Sequence, residues 1–60
     1  MRIGDAKLTS DGYMLATFYG TSLEDKPTDK IAMGSTYIEV DTGKVFLYNE
    51  TASSWVEQGA

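Results

Sequence analysis

Apolar side chains in this chain come in short runs that sort by a period of two, the signature of strands. Residues 3–10 and 13–19 are two partly apolar runs on either side of Asp11-Gly12. Asp-Gly in that position predicts a two-residue hairpin turn. The pairing it implies sets Ser10 against Tyr13, Leu8 against Leu15 and Ala6 against Thr17. The second run, Tyr13-Met14-Leu15-Ala16-Thr17-Phe18-Tyr19, is apolar at nearly every position. Such a run fits a strand covered on both faces or a short buried helix. Its aromatic content and the flanking Gly12 and Gly20 favour the strand.

The clearest pattern runs from Gly34 to Trp55, GSTYIEVDTGKVFLYNETASSW. Ser35 to Asp41 and Lys44 to Asn49 are rich in β-branched and aromatic residues, with Thr42-Gly43 between them. Glycine there supplies the positive φ of a tight reversal. The preferred register sets Val40 against Val45, Ile38 against Leu47, Tyr37 against Tyr48 and Asp41 against Lys44. A shift by one would oppose Val40 to Lys44 and Glu39 to Val45, which pairs less well. A looser turn over Asn49 to Ser54 leads to Trp55-Val56-Glu57, with Tyr48 facing Trp55 and Leu47 facing Val56. One face then carries Ile38, Val40, Val45, Leu47 and Val56, and the other Tyr37, Glu39, Phe46, Tyr48 and Trp55.

Between the two halves, Thr21-Ser22-Leu23-Glu24 matches a helix-start pattern, but Pro27 limits any helix to one turn. An exposed polar loop fits equally, anchored by Leu23 and Ile31, with Lys26-Pro27-Thr28-Asp29-Lys30 as its solvated tip. The expected fold is all-β: an N-terminal hairpin plus a three-stranded antiparallel meander in one small domain over 1–60. Residues 1–20 form the hairpin, 21–33 the loop and 34–58 the meander.

The sorting of faces has a consequence. The aliphatic face can pack on the hairpin through Leu8 and Leu15, which leaves the aromatic face short of cover. Aromatic side chains bury about 150–250 Å² each, so four exceed the patch a soluble monomer normally exposes. Tyr37, Phe46, Tyr48 and Trp55 therefore stand as a candidate partner or oligomer interface. Two other readings stay open: a private core, or a platform that stacks on surface glycan.

Composition narrows the function. A chain of 60 residues buries only about 60% of its unfolded surface, and small folds compensate with disulfides, metals or oligomerisation. With no cysteine and no histidine, oligomerisation is the expected remedy. A net charge of −4 with five scattered basic residues argues against a nucleic-acid partner. No apolar run approaches the roughly 20 residues of a membrane span, so a soluble chain made in the cytoplasm is expected, with no membrane partner. A nucleophile would have to come from Ser, Thr or Lys, and Thr51, Ser53 and Ser54 lie where a turn wants them anyway. No enzymatic role, catalytic residue or cofactor is expected. Asp25, Asp29, Glu39 and Asp41 lack the spacing of a calcium loop, so no metal is expected. Asn49-Glu50-Thr51 fits the glycosylation pattern but has no secretory signal before it.

The C-terminal half resembles a short module of bacteriophage tail-fibre, head-fibre and related virion proteins. The likeness rests on Gly34-Ser35-Thr36, Asp41-Thr42-Gly43-Lys44, Val45-Phe46-Leu47-Tyr48 and Trp55-Val56-Glu57, and covers residues 34–58. The resemblance implies a virion-associated structural or attachment part, often trimeric, that docks onto another virion protein and carries no enzymatic residues. In such fibres the module is one unit of a longer chain; here it stands in a chain of 60 residues that opens with Met1. That departure points to a small knob, adaptor or decoration protein. A monomeric glycan-binding module, and a regulator that masks a host protein's sheet edge, are the rival readings.

Overall fold

A computed structural model describes residues 1–59. Five strands lie side by side in chain order: β1 (Arg2–Leu8), β2 (Met14–Gly20), β3 (Thr36–Glu39), β4 (Lys44–Asn49) and β5 (Ser54–Gln58). All neighbours are antiparallel except β2 and β3, which run parallel. No helix occurs among the described residues. The all-β expectation holds at that level, but the separate hairpin and three-stranded antiparallel meander are corrected to one five-stranded mixed sheet. Pairing β2 with β1 on one edge and β3 on the other satisfies its backbone on both sides. The parallel step is possible because residues 21–35 are long enough to return the chain to the same end of the sheet.

Asp11-Gly12 does not form a two-residue turn. Ser10-Asp11-Gly12 is a three-residue loop, closed by Thr9 N–H to the Tyr13 carbonyl at 2.7 Å and Gly12 N–H to the Thr9 carbonyl at 3.0 Å. Gly12 has φ +85° while Asp11 stays out of the left-handed region, so the turn that needs both residues there is excluded. The Asp11 carboxylate instead accepts the Thr9 hydroxyl and the Tyr13 N–H. Pairing consequently moves by one residue, to Leu8–Met14, Lys7–Leu15 and Ala6–Ala16. Further along, a bulge sets Gly4 and Asp5 against Thr17 and brings Ile3 opposite Phe18.

The β3–β4 loop is Val40–Gly43, closed by Gly43 N–H to the Glu39 carbonyl at 2.7 Å with Gly43 at φ +77°. It pairs Glu39 with Lys44, Ile38 with Val45, Tyr37 with Phe46 and Thr36 with Leu47. This lies two residues from the preferred register. A shift of two leaves every side chain on its face, so the sorting into aliphatic and aromatic faces survives. The pairs Tyr48–Trp55 and Leu47–Val56 occur as expected.

The 21–35 connection crosses the aromatic face and ends by joining the sheet. Ile31 bridges to Met14, and Tyr48 N–H donates to the Ser35 carbonyl at 2.8 Å. Buried Ser35 stitches β2 to the start of β3: its Oγ accepts Ala16 N–H and donates to the Met14 carbonyl, both at 3.2 Å. The core forms there, from Ala16, Phe18, Ile31, Tyr37 and Tyr48, with Met14, Phe46 and Trp55 packed against it.

Candidate docking surface

Tyr37, Phe46, Tyr48 and Trp55 are brought together, but beneath their own chain. Tyr37 is 0% and Tyr48 3% exposed, and Phe46 and Trp55 are half-buried. Trp55 meets Tyr48, Tyr37 and Phe18 edge-on, at centroid distances of 4.9, 5.9 and 6.1 Å. The expectation that this face lacks cover is corrected. Three carbonyls of the irregular connection need donors, and the aromatic face supplies them. Trp55 Nε1 donates to Pro27 at 2.8 Å, Tyr48 Oη to Thr28 at 3.2 Å and Tyr37 Oη to Thr21 at 3.3 Å. Pro27 and Lys26 are therefore pressed onto the sheet rather than held in a solvated tip. Ile31 is an anchor, as expected, but Leu23 is 93% exposed and anchors nothing.

Lys26 closes the open end of this cluster. Its Nζ lies 4.3 Å from the Phe46 ring centre and 4.8 Å from that of Tyr37. The same ammonium donates to Glu39 Oε2 at 2.6 Å, while Thr42 Oγ1 donates to Oε1 at 2.7 Å. The Lys26 hydrogen bond, then that of Thr42, holds the Glu39 carboxyl below its ordinary value despite burial. Burial, chiefly, pushes the Tyr37 phenol up. Asp41 accepts the N–H and hydroxyl of Ser22, which lowers its pKa and ties the connection to the β3–β4 loop. Glu39 and Asp41 thus act as hydrogen-bond acceptors. Among the described residues, no three Asp or Glu side chains gather into a set suited to a metal ion.

The opposite face has no cover. Register places Arg2, Tyr19, Ile38, Val45 and Gln58 in one row across the sheet and Thr17, Thr36, Leu47 and Val56 in the next. Lys7, Leu15, Asn49 and Ser54 continue it. Tyr19, Leu47 and Val56 are 40%, 37% and 46% exposed. Val45, on β4, is half-buried. On β1 to β3 lies an open groove of about 360 Å³, whose lining includes Asp5, Lys7, Leu15, Thr17, Gly34 and Thr36. None of these groove residues was marked as functional by sequence reasoning. The available signal was the concentration of Thr, Val, Ile and Leu on one face.

Comparison with protein-family models, with curated proteins and with solved structures returns no match for this chain.

Proposed function

We propose that this chain is a non-enzymatic structural component of a bacteriophage particle, a fibre-, knob- or decoration-type part that self-associates and docks onto another virion protein. The single observation behind the reading is the sheet face opposite the aromatic cluster, where Tyr19, Leu47 and Val56 are exposed and Thr17, Thr36 and Ile38 are half-buried, with no segment of the chain laid across them. A face of that size on a 60-residue chain is where burial missing from the monomer is recovered. The phage assignment itself comes from the resemblance over residues 34–58. The seat of association moves from the aromatic set to the aliphatic face, because the rings are already spent on the connection. Stacking of sugar on those rings would require the 21–35 segment to lift, so the glycan reading gains no support from the geometry.

Molar mass by light scattering, measured from micromolar to millimolar concentration, tests the self-association. A stable multiple of the 6.6 kDa chain is expected. A monomer at every concentration refutes it.

A further inference from the structure

We propose that Asp11-Gly12 is a site of spontaneous backbone modification, the conversion of Asp11 to isoaspartate, and that Thr9 holds this reaction in check in the folded chain.

The chemistry is intramolecular and needs no reactant but water. The Gly12 backbone nitrogen attacks Cγ of the Asp11 side chain and a C–N bond forms. The carboxyl hydroxyl and the amide proton leave together as water, with no change of oxidation state. The five-membered succinimide that results is reopened by water at either carbonyl. One opening restores aspartate. The other leaves the main chain running through Cβ, with the α-carboxylate as the side chain.

Sequence and exposure place the reaction here. Attack is easiest where the following residue has no side chain to obstruct it. Asp5, Asp25, Asp29 and Asp41 precede Ala6, Lys26, Lys30 and Thr42, and Asp11 alone precedes glycine. Both Asp11 and Gly12 are exposed, and a Cβ built at Gly12 meets nothing within 4 Å. Packing therefore gives this pair no protection.

Protection comes from the hydrogen bonds of the loop, and Thr9 is their hub. Its carbonyl accepts the Gly12 N–H at 3.0 Å, which engages the attacking nitrogen. Its hydroxyl donates to Asp11 Oδ1, the same oxygen that accepts the Tyr13 N–H at 3.3 Å. The Thr9 bond, chiefly, holds the Asp11 carboxyl below its ordinary value. A carboxylate has no hydroxyl to lose, so the ionised form resists ring closure. One residue thus restrains both reacting groups.

The modification would matter to the fold. Isoaspartate adds a backbone atom to the three-residue loop that sets the Leu8–Met14 and Lys7–Leu15 pairs. The strand β1 pairs with β2 alone, so a lost register there frees the edge of the sheet.

The test ages the intact chain for weeks in warm, mildly acidic buffer, folded or unfolded in guanidinium chloride. Isoaspartyl-specific methylation and peptide mapping by mass spectrometry then locate and count the product. Modification at Asp11 is expected to be about tenfold slower or more in the folded chain, the scale of one hydrogen bond to a charged group. T9V removes the hydroxyl and keeps the carbonyl. It is expected to raise the folded rate about tenfold, while T9S stays slow and D11E, which cannot close a five-membered ring, gives no product at that position. The near-ultraviolet signal of Trp55 shows which variants remain folded. Equal rates in the folded and unfolded parent overturn the protection, and that comparison needs no variant. T9V ageing at the parent's rate with its signal intact overturns the role of Thr9. Faster modification at any other aspartate overturns the site.

Discussion

The two faces of this sheet both carry apolar side chains and have opposite fates. The aromatic face is roofed by an irregular connection, and the aliphatic face is left open. Hydrogen-bond chemistry explains the division. A connection with no helix or strand brings backbone carbonyls that lack partners, and burying them unpaired would cost about 1–3 kcal/mol each. Trp55, Tyr48 and Tyr37 each carry a donor on an apolar body and satisfy Pro27, Thr28 and Thr21. Ile38, Val45, Leu47 and Val56 have no donor to offer. Their proper cover is a surface whose backbone is already paired, and another sheet face is such a surface. The same sheet therefore carries a private core on one side and an open apolar face on the other.

Truncation on each face gives the largest contrast. Phe18 is 1% exposed, so Phe18→Ala should cost about 3–5 kcal/mol. A chain of this size carries only on the order of 3–9 kcal/mol in total, so the variant should lose most of its stability. Leu47→Ala, on the bare face, should cost under about 1 kcal/mol in dilute solution. Urea unfolding at low micromolar concentration measures both. Equal losses would mean the aliphatic face is as buried as the aromatic one.

Gly20 offers a finer probe of the covered side. A methyl group there would collide with Tyr37 Oη and stand 2.9 Å from Tyr37 Cζ. Gly20→Ala should destabilise by about 1–3 kcal/mol through overpacking. Tyr37→Phe alone loses the bond to Thr21, about 0.5–1.5 kcal/mol. Combined, the two should cost less than their sum, because removing the hydroxyl relieves the tightest contact. Simple additivity in a thermal-unfolding cycle would show that Tyr37 does not pin the connection against Gly20.

Much of this fold was legible in the chain, and the failures have physical causes. The Tyr48–Trp55 register followed from matching aliphatic with aliphatic and aromatic with aromatic. The β3–β4 faces came out right through a register two residues off, since a period of two forgives that error. The N-terminal register did not, because Asp-Gly serves two turns and only the φ of Asp11 separates them. Pairing of β2 with β3 is a contact between distant segments with no local signature. Which face the connection would cross is likewise invisible to periodicity, which sorts side chains without saying which set is roofed. Hydrophobicity alone misplaced Leu23, while the donors on Tyr37, Tyr48 and Trp55 held the usable clue. Those residues were singled out as a group, and in the fold they pack beneath the connection of their own chain.

Acid should loosen the roof before it touches the open face. Glu39 is held below the ordinary carboxyl value by Lys26 and Thr42. A carboxyl depressed in the folded state adds stability that is fully present above its unfolded value, near 4.5. That stability is lost as pH falls through the lower folded value. Glu24, held down by the N-terminal ammonium, and Asp41, held down by Ser22, act in the same direction. Melting temperature should therefore fall as pH drops below about 4.5, and Glu39→Gln should flatten part of that slope. A Glu39→Gln profile parallel to the parent would remove Glu39 from the acid response.

The smallest expected effect separates stability from association. The loops Val40–Gly43 and Glu50–Ser53 each join paired strands and each end on a left-handed residue, Gly43 in one and Ser53, at φ +52°, in the other. Serine there carries the steric penalty of its Cβ, which glycine lacks. Ser53→Gly should raise stability by about 0.5–1 kcal/mol, less the added freedom of glycine in the unfolded chain. Ser53 lies at the tip of the β4–β5 hairpin, outside the rows that form the bare face. Its substitution should lift the melting temperature and leave the association constant where it was. A parallel rise in both would mean that association is limited by the population of folded monomer rather than by complementarity of the face. Leu47→Ala should do the reverse, weakening association at nearly constant monomer stability, and the two variants together decide whether the two faces act independently.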